Sequence, residues 1–260
     1  MKTLFDGVTI TLDGAVAVVT FARPPLNYFD TALITALADA LEEIDHQPEL
    51  RAVVLRSEGK VFCAGASFSG NEGSSGTGGL ADPSDIYHVG LRLFRTRKPI
   101  IAAVQGPAIG GGLGLSLVAD FRVAVPEARF AATFAKIGIH PGFGLTHTLP
   151  RAIGHQKAAM LFYTGRRIDG EEAHGIGLVD VLASSDRLSD TTLAFAKEIA
   201  EAAPLAIEST RQTLREGLAD AVARQTDHEL RQQIALFRSE DFKEGVKAVA
   251  ERRPGRWIRA

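Results

Sequence analysis

The sequence lacks the features that mark several large functional classes. It has one cysteine, Cys63, in 260 residues, so no intramolecular disulfide can form; a solitary thiol fits a reducing compartment better than a secreted setting. It lacks a charge excess, with 29 Lys and Arg against 31 Asp and Glu and a formal net charge of −2. Without a basic surplus or an arginine-rich arm, the electrostatic footprint of a nucleic-acid binder is missing. Long hydrophobic runs are missing too. The longest apolar stretch, Pro99 to Val104, is far short of the roughly 18–20 residues that cross a bilayer. Asp6, Thr9 and Thr11 interrupt the N-terminal apolar positions, so the continuous apolar core of a secretory signal is absent. The expectation is a cytoplasmic protein that engages neither nucleic acid nor membrane. The seven histidines show no H-E-x-x-H or comparable spacing, which predicts no catalytic metal.

What the chain does have is a hydrophobic share of 45%, enough for a sizeable core in one or two domains. Ala15 to Phe21 is an apolar run rich in β-branched residues, preceded by the turn signal Asp13-Gly14 and stopped by Pro24-Pro25, which predicts a strand. From Asp30, a helix cap, apolar residues recur at Leu33, Ile34, Leu37, Leu41 and Ile44, the spacing of a helix with one buried face. Strands are then predicted at Ala52 to Leu55, Ile100 to Val104 and Phe121 to Val125, with helices at Ile86 to Phe94 and Leu113 to Val118. That alternation predicts an α/β core with crossover connections. After His155 helical spacing dominates: Leu188 to Ala202, Leu205 to Leu214, Ala221 to Phe237, and Phe242 to Arg252 capped by Ser239, with Leu178 to Val181 as the only strand. The change predicts an α/β portion over 1–185 and a helical portion over 186–260. The low-complexity stretch Ser69 to Gly79 reads as a spacer or as a flap beside a site.

Two glycine-bearing segments stand where strands end: Phe62 to Ser67 (F-C-A-G-A-S) and Gly106 to Gly112 (G-P-A-I-G-G-G). Neither contains G-x-G-x-x-G or G-K-[ST], so the fingerprints of dinucleotide and nucleoside-triphosphate binding are absent from both. Three consecutive glycines at a helix start leave two readings open. They bare N–H groups to a ligand, with the helix dipole favouring negative charge there, or they let the helix pack closely on the sheet. Gly65-Ala66-Ser67-Phe68-Ser69 misses the hydrolase pattern G-x-S-x-G only in its last residue, although a glycine-rich loop rather than a helix follows.

The two segments, with R-P-P-L-N (Arg23 to Asn27) before them and I-G-I-H-P-G-F-G (Ile137 to Gly144) after, resemble the crotonase superfamily of enoyl-CoA hydratases and isomerases. The resemblance runs on through Arg167 to Asp180 and Ser239 to Pro254, essentially the whole chain. It implies an α/β fold with a superhelical core of repeated ββα turns and a helical C-terminal region, assembled as a homotrimer or a dimer of trimers. It implies an acyl-CoA thioester as ligand, with coenzyme A entering as part of the substrate and no permanently bound cofactor. Carried over by position, the backbone N–H groups that hold the thioester oxygen are those of Ala66 and Gly111. The adenine would lie along Ala64 and Gly65, and Arg23, Asn27 and Tyr28 belong to the stretch expected to line the pantetheine arm.

The departures from the family pattern concern the acid and base. In hydratases of the family one glutamate lies three residues after the middle glycine, which is Gly114 here, and the second eight residues before the glycine of the P-G turn, which is Phe134. The position that carries a carboxylate in some isomerases, and the nucleophilic aspartate in dehalogenases, is Gly142. Water addition needs groups that activate water and protonate carbon within hydrogen-bond reach, and these three residues cannot supply them. Glycine at 114 and phenylalanine at 134 are expected to leave a wide, apolar acyl pocket. Of the remaining ionisable groups, His140 beside the P-G turn is the candidate acid or base, because imidazole titrates near neutrality. Tyr87 and His88 lie on the helix expected to border the pocket, and helical spacing can turn only one of them inward. Ser67 takes the place of a common aspartate, and Cys63 reads as a small packed residue. Three functions follow as alternatives: an enzyme of hydratase or isomerase style with non-standard acid and base, a catalytically silent acyl-CoA binder, and a serine hydrolase using Ser67.

Overall fold

The computed structural model describes residues 3–67 and 83–260, so the expected spacer or flap at Ser69 to Gly79 lies outside the described residues. The chain opens with β1 (Thr3–Phe5), β2 (Val8–Asp13) and β3 (Val16–Phe21), then α1 (Thr31–Asp45), β4 (Ala52–Ser57), α2 (Pro83–Phe94) and β5 (Ile100–Val104). It continues through β6 (Pro107–Ile109), α3 (Gly111–Ser116), β7 (Phe121–Ala124), β8 (Arg129–Ala131) and a turn of 3-10 helix at Thr133–Ile137. After α4 (Leu145–Ile153), α5 (His155–Thr164), β9 (Ile168–Asp169), α6 (Gly170–Gly175) and β10 (Val181–Leu182) come α7 (Leu188–Glu201), α8 (Pro204–Leu214), α9 (Leu218–Leu236) and α10 (Glu240–Ala250).

The large sheet runs β1-β2-β3-β4-β5-β7-β10, antiparallel up to β3 and parallel from β3 onward; β6, β8 and β9 form a second, small sheet. The chain therefore alternates between sheets. It places β5 in the large one, β6 in the small one and then helix α3, before β7 and β8 repeat the step, which is the ββα superhelical pattern the resemblance implies. An isolated bridge between Cys63 and Ala108 joins the first glycine segment to the edge of the small sheet.

Burial explains why the central strands carry runs rather than alternation. Every residue of β3 is buried, because one face of the sheet is covered by α1 and the other by α7. Asp30 Oδ1 accepts the N–H of Leu33 at 2.7 Å and caps α1, a contact of about 1 kcal/mol. Leu33, Ile34, Leu37, Leu41 and Ile44 are then buried along one helix face, each contributing about 1.5–3 kcal/mol. Helix α7, beyond residue 185, shares that core through Leu188, Ala196 and Ala200, and Lys197 pairs with Asp13 at 2.8 Å. The expected Ser239 cap is present: its Oγ accepts the N–H of Phe242 at 3.1 Å.

Two expectations are corrected. The strand expected at Leu178 to Val181 is Val181–Leu182 and is not the only one after His155, since β9 pairs with β8; Leu178 and Val179 are buried loop residues whose N–H groups both donate to Ala173 O. The small sheet was also missed, because strands of two or three residues show no periodicity to read, and so was β2, the six-residue partner of the expected strand at Ala15 to Phe21. Among the described residues no helix is long and apolar enough to cross a membrane.

Candidate active site

The two glycine segments meet. Cys63 donates its N–H to Pro107 O and accepts the N–H of Ile109, both at 3.0 Å, so residues 62–66 run alongside β6. Gly65 turns at φ +82°, and a Cβ there would stand 2.7 Å from Ile109 O and 3.6 Å from the nitrogen of Gly111. The two readings of the triplet divide between its members. Gly112 packs: a Cβ would lie 2.1 Å from Cys63 O, so only glycine fits. Gly110, at φ +55°, makes the turn and donates to Ala131 O at 2.8 Å. Gly111, with its neighbour Gly110 and with Ala66, lines a pocket of about 560 Å³. Among the described residues no protein acceptor is assigned to the N–H of Ala66 or of Gly111. The Cys63 thiol is buried, and burial pushes its pKa up to about 12, which keeps it protonated and inert, as expected of a packed cysteine.

Phe143 shapes the pocket floor. It adopts a left-handed backbone at φ +63° between two glycines, and its ring lies edge-on to Phe29 with centroids 4.8 Å apart. A Cβ on Gly90 of α2 would come within 2.3 Å of this ring, and one on Gly114 of α3 within 2.8 Å of both Phe143 Cδ1 and Leu145 Cδ1. The expected widening at position 114 is therefore absent. Phe143 and Leu145 fill that space, and Gly114 does not line the pocket.

Beside Phe143 sits a polar pair. The buried phenol of Tyr87 donates to Gln233 Oε1 at 2.5 Å, and Gln233 Nε2 donates to His140 O at 2.8 Å. Gly142 passes under both, where a Cβ would meet Tyr87 Oη at 2.0 Å. Burial, reinforced by the charge of Glu229, raises the Tyr87 pKa and holds the phenol protonated. Glu229, fully buried on α9, clamps the same turn: its Oε2 accepts from Gly144 N–H at 2.6 Å and its Oε1 from Thr146 N–H at 2.9 Å. Burial pushes its pKa from 4.5 to about 7, against the lowering effect of those hydrogen bonds. A carboxylate whose folded pKa is raised favours the folded state most below about pH 4.5 and loses that contribution as pH rises through about 7. Between pH 5 and 8 the wild type is expected to lose about 2.5 kcal/mol more stability than Glu229→Gln. Denaturant unfolding of the two proteins across that range checks it, and parallel curves would exclude Glu229 as the titrating group.

Among the described residues the pocket lining contains no Asp, Glu or His; Tyr87 and the exposed rim cations Arg129, Lys136 and Arg167 are its ionisable groups. No cluster of potential metal ligands occurs among the described residues.

A sequence profile described as enoyl-CoA hydratase/isomerase matches residues 11–259. The chain belongs to the enoyl-CoA hydratase/isomerase family. It is 32% identical to a probable enoyl-CoA hydratase of Bacillus subtilis, over 95% of this chain and 97% of that one. It is 33% identical to a short-chain-enoyl-CoA hydratase of Clostridium acetobutylicum, covering 95% and 96% of the two. The crystal structure of an enoyl-CoA hydratase/isomerase from Pseudoalteromonas atlantica superposes with a TM-score of 0.84 at 30% identity, covering 97% of this chain and 100% of the other. The fold is thus the crotonase fold.

Of the positions carried over from the enoyl-CoA hydratase/isomerase pattern, Ala64, Gly65, Ala66, Gly111, Phe134 and Gly142 come together on the pocket wall, with Tyr87. Others do not. Arg23 is held away by ion pairs to Asp6 at 2.6 Å and Asp30 at 2.9 Å. Asn27 is buried at φ +49° and braces its loop, donating to Glu58 O and Val61 O; its neighbours Leu26 and Phe29 reach the pocket, whereas Asn27 and Tyr28 do not. Ser67 is half-buried beside Ala66 and outside the lining. With Tyr87 turned inward, His88 is turned by about 100° and is exposed. His140 reaches the site through its carbonyl. Its imidazole Nδ1 lies 2.8 Å from Pro141 O, its ring faces His228 with centroids 6.0 Å apart, and it does not line the pocket, so the expected acid-base role is not met by its placement.

Phe143, Glu229 and Gln233 escaped the sequence reading. A signal existed for the last two. Val222, Thr226, Glu229 and Gln233 recur at helical spacing on the buried stripe of α9, and polar residues in phase with an apolar stripe need partners.

Proposed function

We propose that this protein binds an acyl-CoA thioester and stabilises its enolate between the N–H groups of Ala66 and Gly111. The observation that carries this reading is the close approach of Gly65 to Gly111, which sets on one pocket wall two amides with no acceptor assigned among the described residues. Donors aimed at a thioester oxygen draw charge onto it, making the α-carbon acidic and the β-carbon electrophilic. The rim cations Arg129, Lys136 and Arg167 suit the phosphates of coenzyme A, and the apolar floor of Phe29, Ile86 and Phe143 suits an acyl chain. No resident cofactor is needed. The reaction class is that of hydratases and isomerases, with Tyr87 as the ionisable side chain at the acyl end, able to exchange a proton only after its hydrogen bond to Gln233 Oε1 is released, in place of the glutamates missing at 114 and 134. A homotrimer or dimer of trimers is proposed with it, to be read by sedimentation.

A second reading, a silent binder, is favoured by the absence of carboxylates and imidazoles from the described lining. Incubation with crotonyl-CoA and a panel of acyl-CoAs, with calorimetry in parallel, separates the two. Binding in the micromolar range, about −8 kcal/mol, is expected, with slow turnover of crotonyl-CoA. Turnover of another acyl-CoA that falls in Tyr87→Phe while binding persists supports the enzyme; binding without any turnover supports the silent binder. Thioester hydrolysis lost in Ser67→Ala would favour a hydrolase. Hydration of crotonyl-CoA at a full hydratase rate would overturn the assignment of positions 114 and 134.

A further inference from the structure

A second cavity, of about 470 Å³, opens between α4, α8 and the starts of β5 and β7, and it shares no lining residue with the first. Much of its wall is apolar, formed by Leu117, Phe121, Ile199, Ile207, Leu214 and Leu218, yet four arginines face it: Arg122, Arg151, Arg211 and Arg215. The lining holds one carboxylate, Asp120, and that group is already divided. Its Oδ1 accepts from Arg215 Nη1 at 2.9 Å, while Oδ2 accepts from Arg211 Nε and Ile100 N–H, both at 2.9 Å. Arg122 has its own counter-charge, Asp180 at 3.3 Å, and Arg151 donates to Leu214 O at 2.8 Å. Arg215 is left short. Its remaining contacts are long ones to Val118 O at 3.4 and 3.5 Å, and its Nε is buried with no partner among the described residues. Burial and the neighbouring charges of Arg211 and Arg151 all act against its guanidinium. A cluster of four arginines with too few anions, at the wall of an apolar cavity, calls for one negative charge carried on a hydrocarbon.

We propose that this cavity binds a small amphipathic carboxylate, its carboxylate beside Arg215 and Arg151 and its hydrocarbon against Ile199, Ile207 and Leu214. The carboxylate offsets the repulsion among the arginines and offers acceptors to their guanidinium groups. The apolar wall disfavours a fully hydrated inorganic anion. Because the two cavities share no wall, such a ligand occupies the protein together with an acyl-CoA, and its site stands whether or not the first pocket is catalytic.

Calorimetry on the full chain with octanoate as probe tests this, with 1-octanol as the neutral isostere and inorganic phosphate as the anion without a tail. One octanoate per chain is expected, bound roughly tenfold or more tightly than 1-octanol, undisplaced by saturating coenzyme A thioester, with no binding of phosphate. Arg215→Gln is expected to weaken octanoate by roughly tenfold or more, and Ile207→Trp, which fills the cavity from a half-buried position, to abolish it. Should Arg215→Gln fail to fold by circular dichroism, the Ile207→Trp result decides. Equal affinity for octanol, displacement by the thioester, unchanged binding in a folded variant, or no binding of octanoate at millimolar concentration would each overturn the proposal.

Discussion

Replacing Gly111 by proline is expected to lower the turnover of any acyl-CoA the protein processes by about 10²–10³, roughly 2.7–4 kcal/mol of transition-state stabilisation. Proline is tolerated at the first helical position, and Gly111 opens α3, so the substitution removes the N–H at little backbone cost. It also adds a Cβ within 2.9 Å of the Phe29 ring, which must give way. Gly111→Ala carries the same Cβ and keeps the N–H. The proline-to-alanine ratio in kcat/KM therefore isolates the amide, and its thioester affinity is expected to fall in the same order. Equal losses in both variants would assign the effect to the displaced ring and remove Gly111 from the oxyanion hole.

Truncating Phe143 to alanine is expected to cost about 3–5 kcal/mol of stability, because the ring is buried and its removal leaves a void between Gly90 and Gly114. That void joins the first pocket, so bulkier acyl-CoAs are expected to bind better to Phe143→Ala than to wild type, while short ones bind no better. The same geometry explains why a glutamate does not fit at position 114. A side chain at 114 meets Phe143 and Leu145 from its first carbon, so Gly114→Glu alone is expected to destabilise and to confer no hydratase activity. Combined with Phe143→Ala it should be less harmful than the sum of the single changes, a coupling read from urea denaturation of the four proteins in a double-mutant cycle. Strict additivity would show that the ring does not occupy the space at 114.

The parts of the fold legible in the sequence are those long enough to display a period or a cap. Helix α1 showed both, in its apolar spacing and in Asp30; β5 showed a run set between turns; Ser239 announced α10. The strands of the small sheet are too short for either signal, although they carry the site: β6 holds residues 62–66 beside the glycine triplet. Position alone brought Ala66 and Gly111 to one pocket wall, because the path of the backbone sets their places whatever side chains surround them. It served the side chains poorly. Arg23 found a closer partner in Asp6, His140 turned its carbonyl inward, and Gly114 was covered by a phenylalanine from another loop. Those outcomes depend on contacts between distant segments, which no local pattern records.

A crystal structure of the protein with a bound acyl-CoA thioester tests the two-amide site most directly. The thioester oxygen is expected within about 3 Å of both the Ala66 and the Gly111 nitrogens. An oxygen held by other donors, or by only one of these amides, would contradict the proposed chemistry.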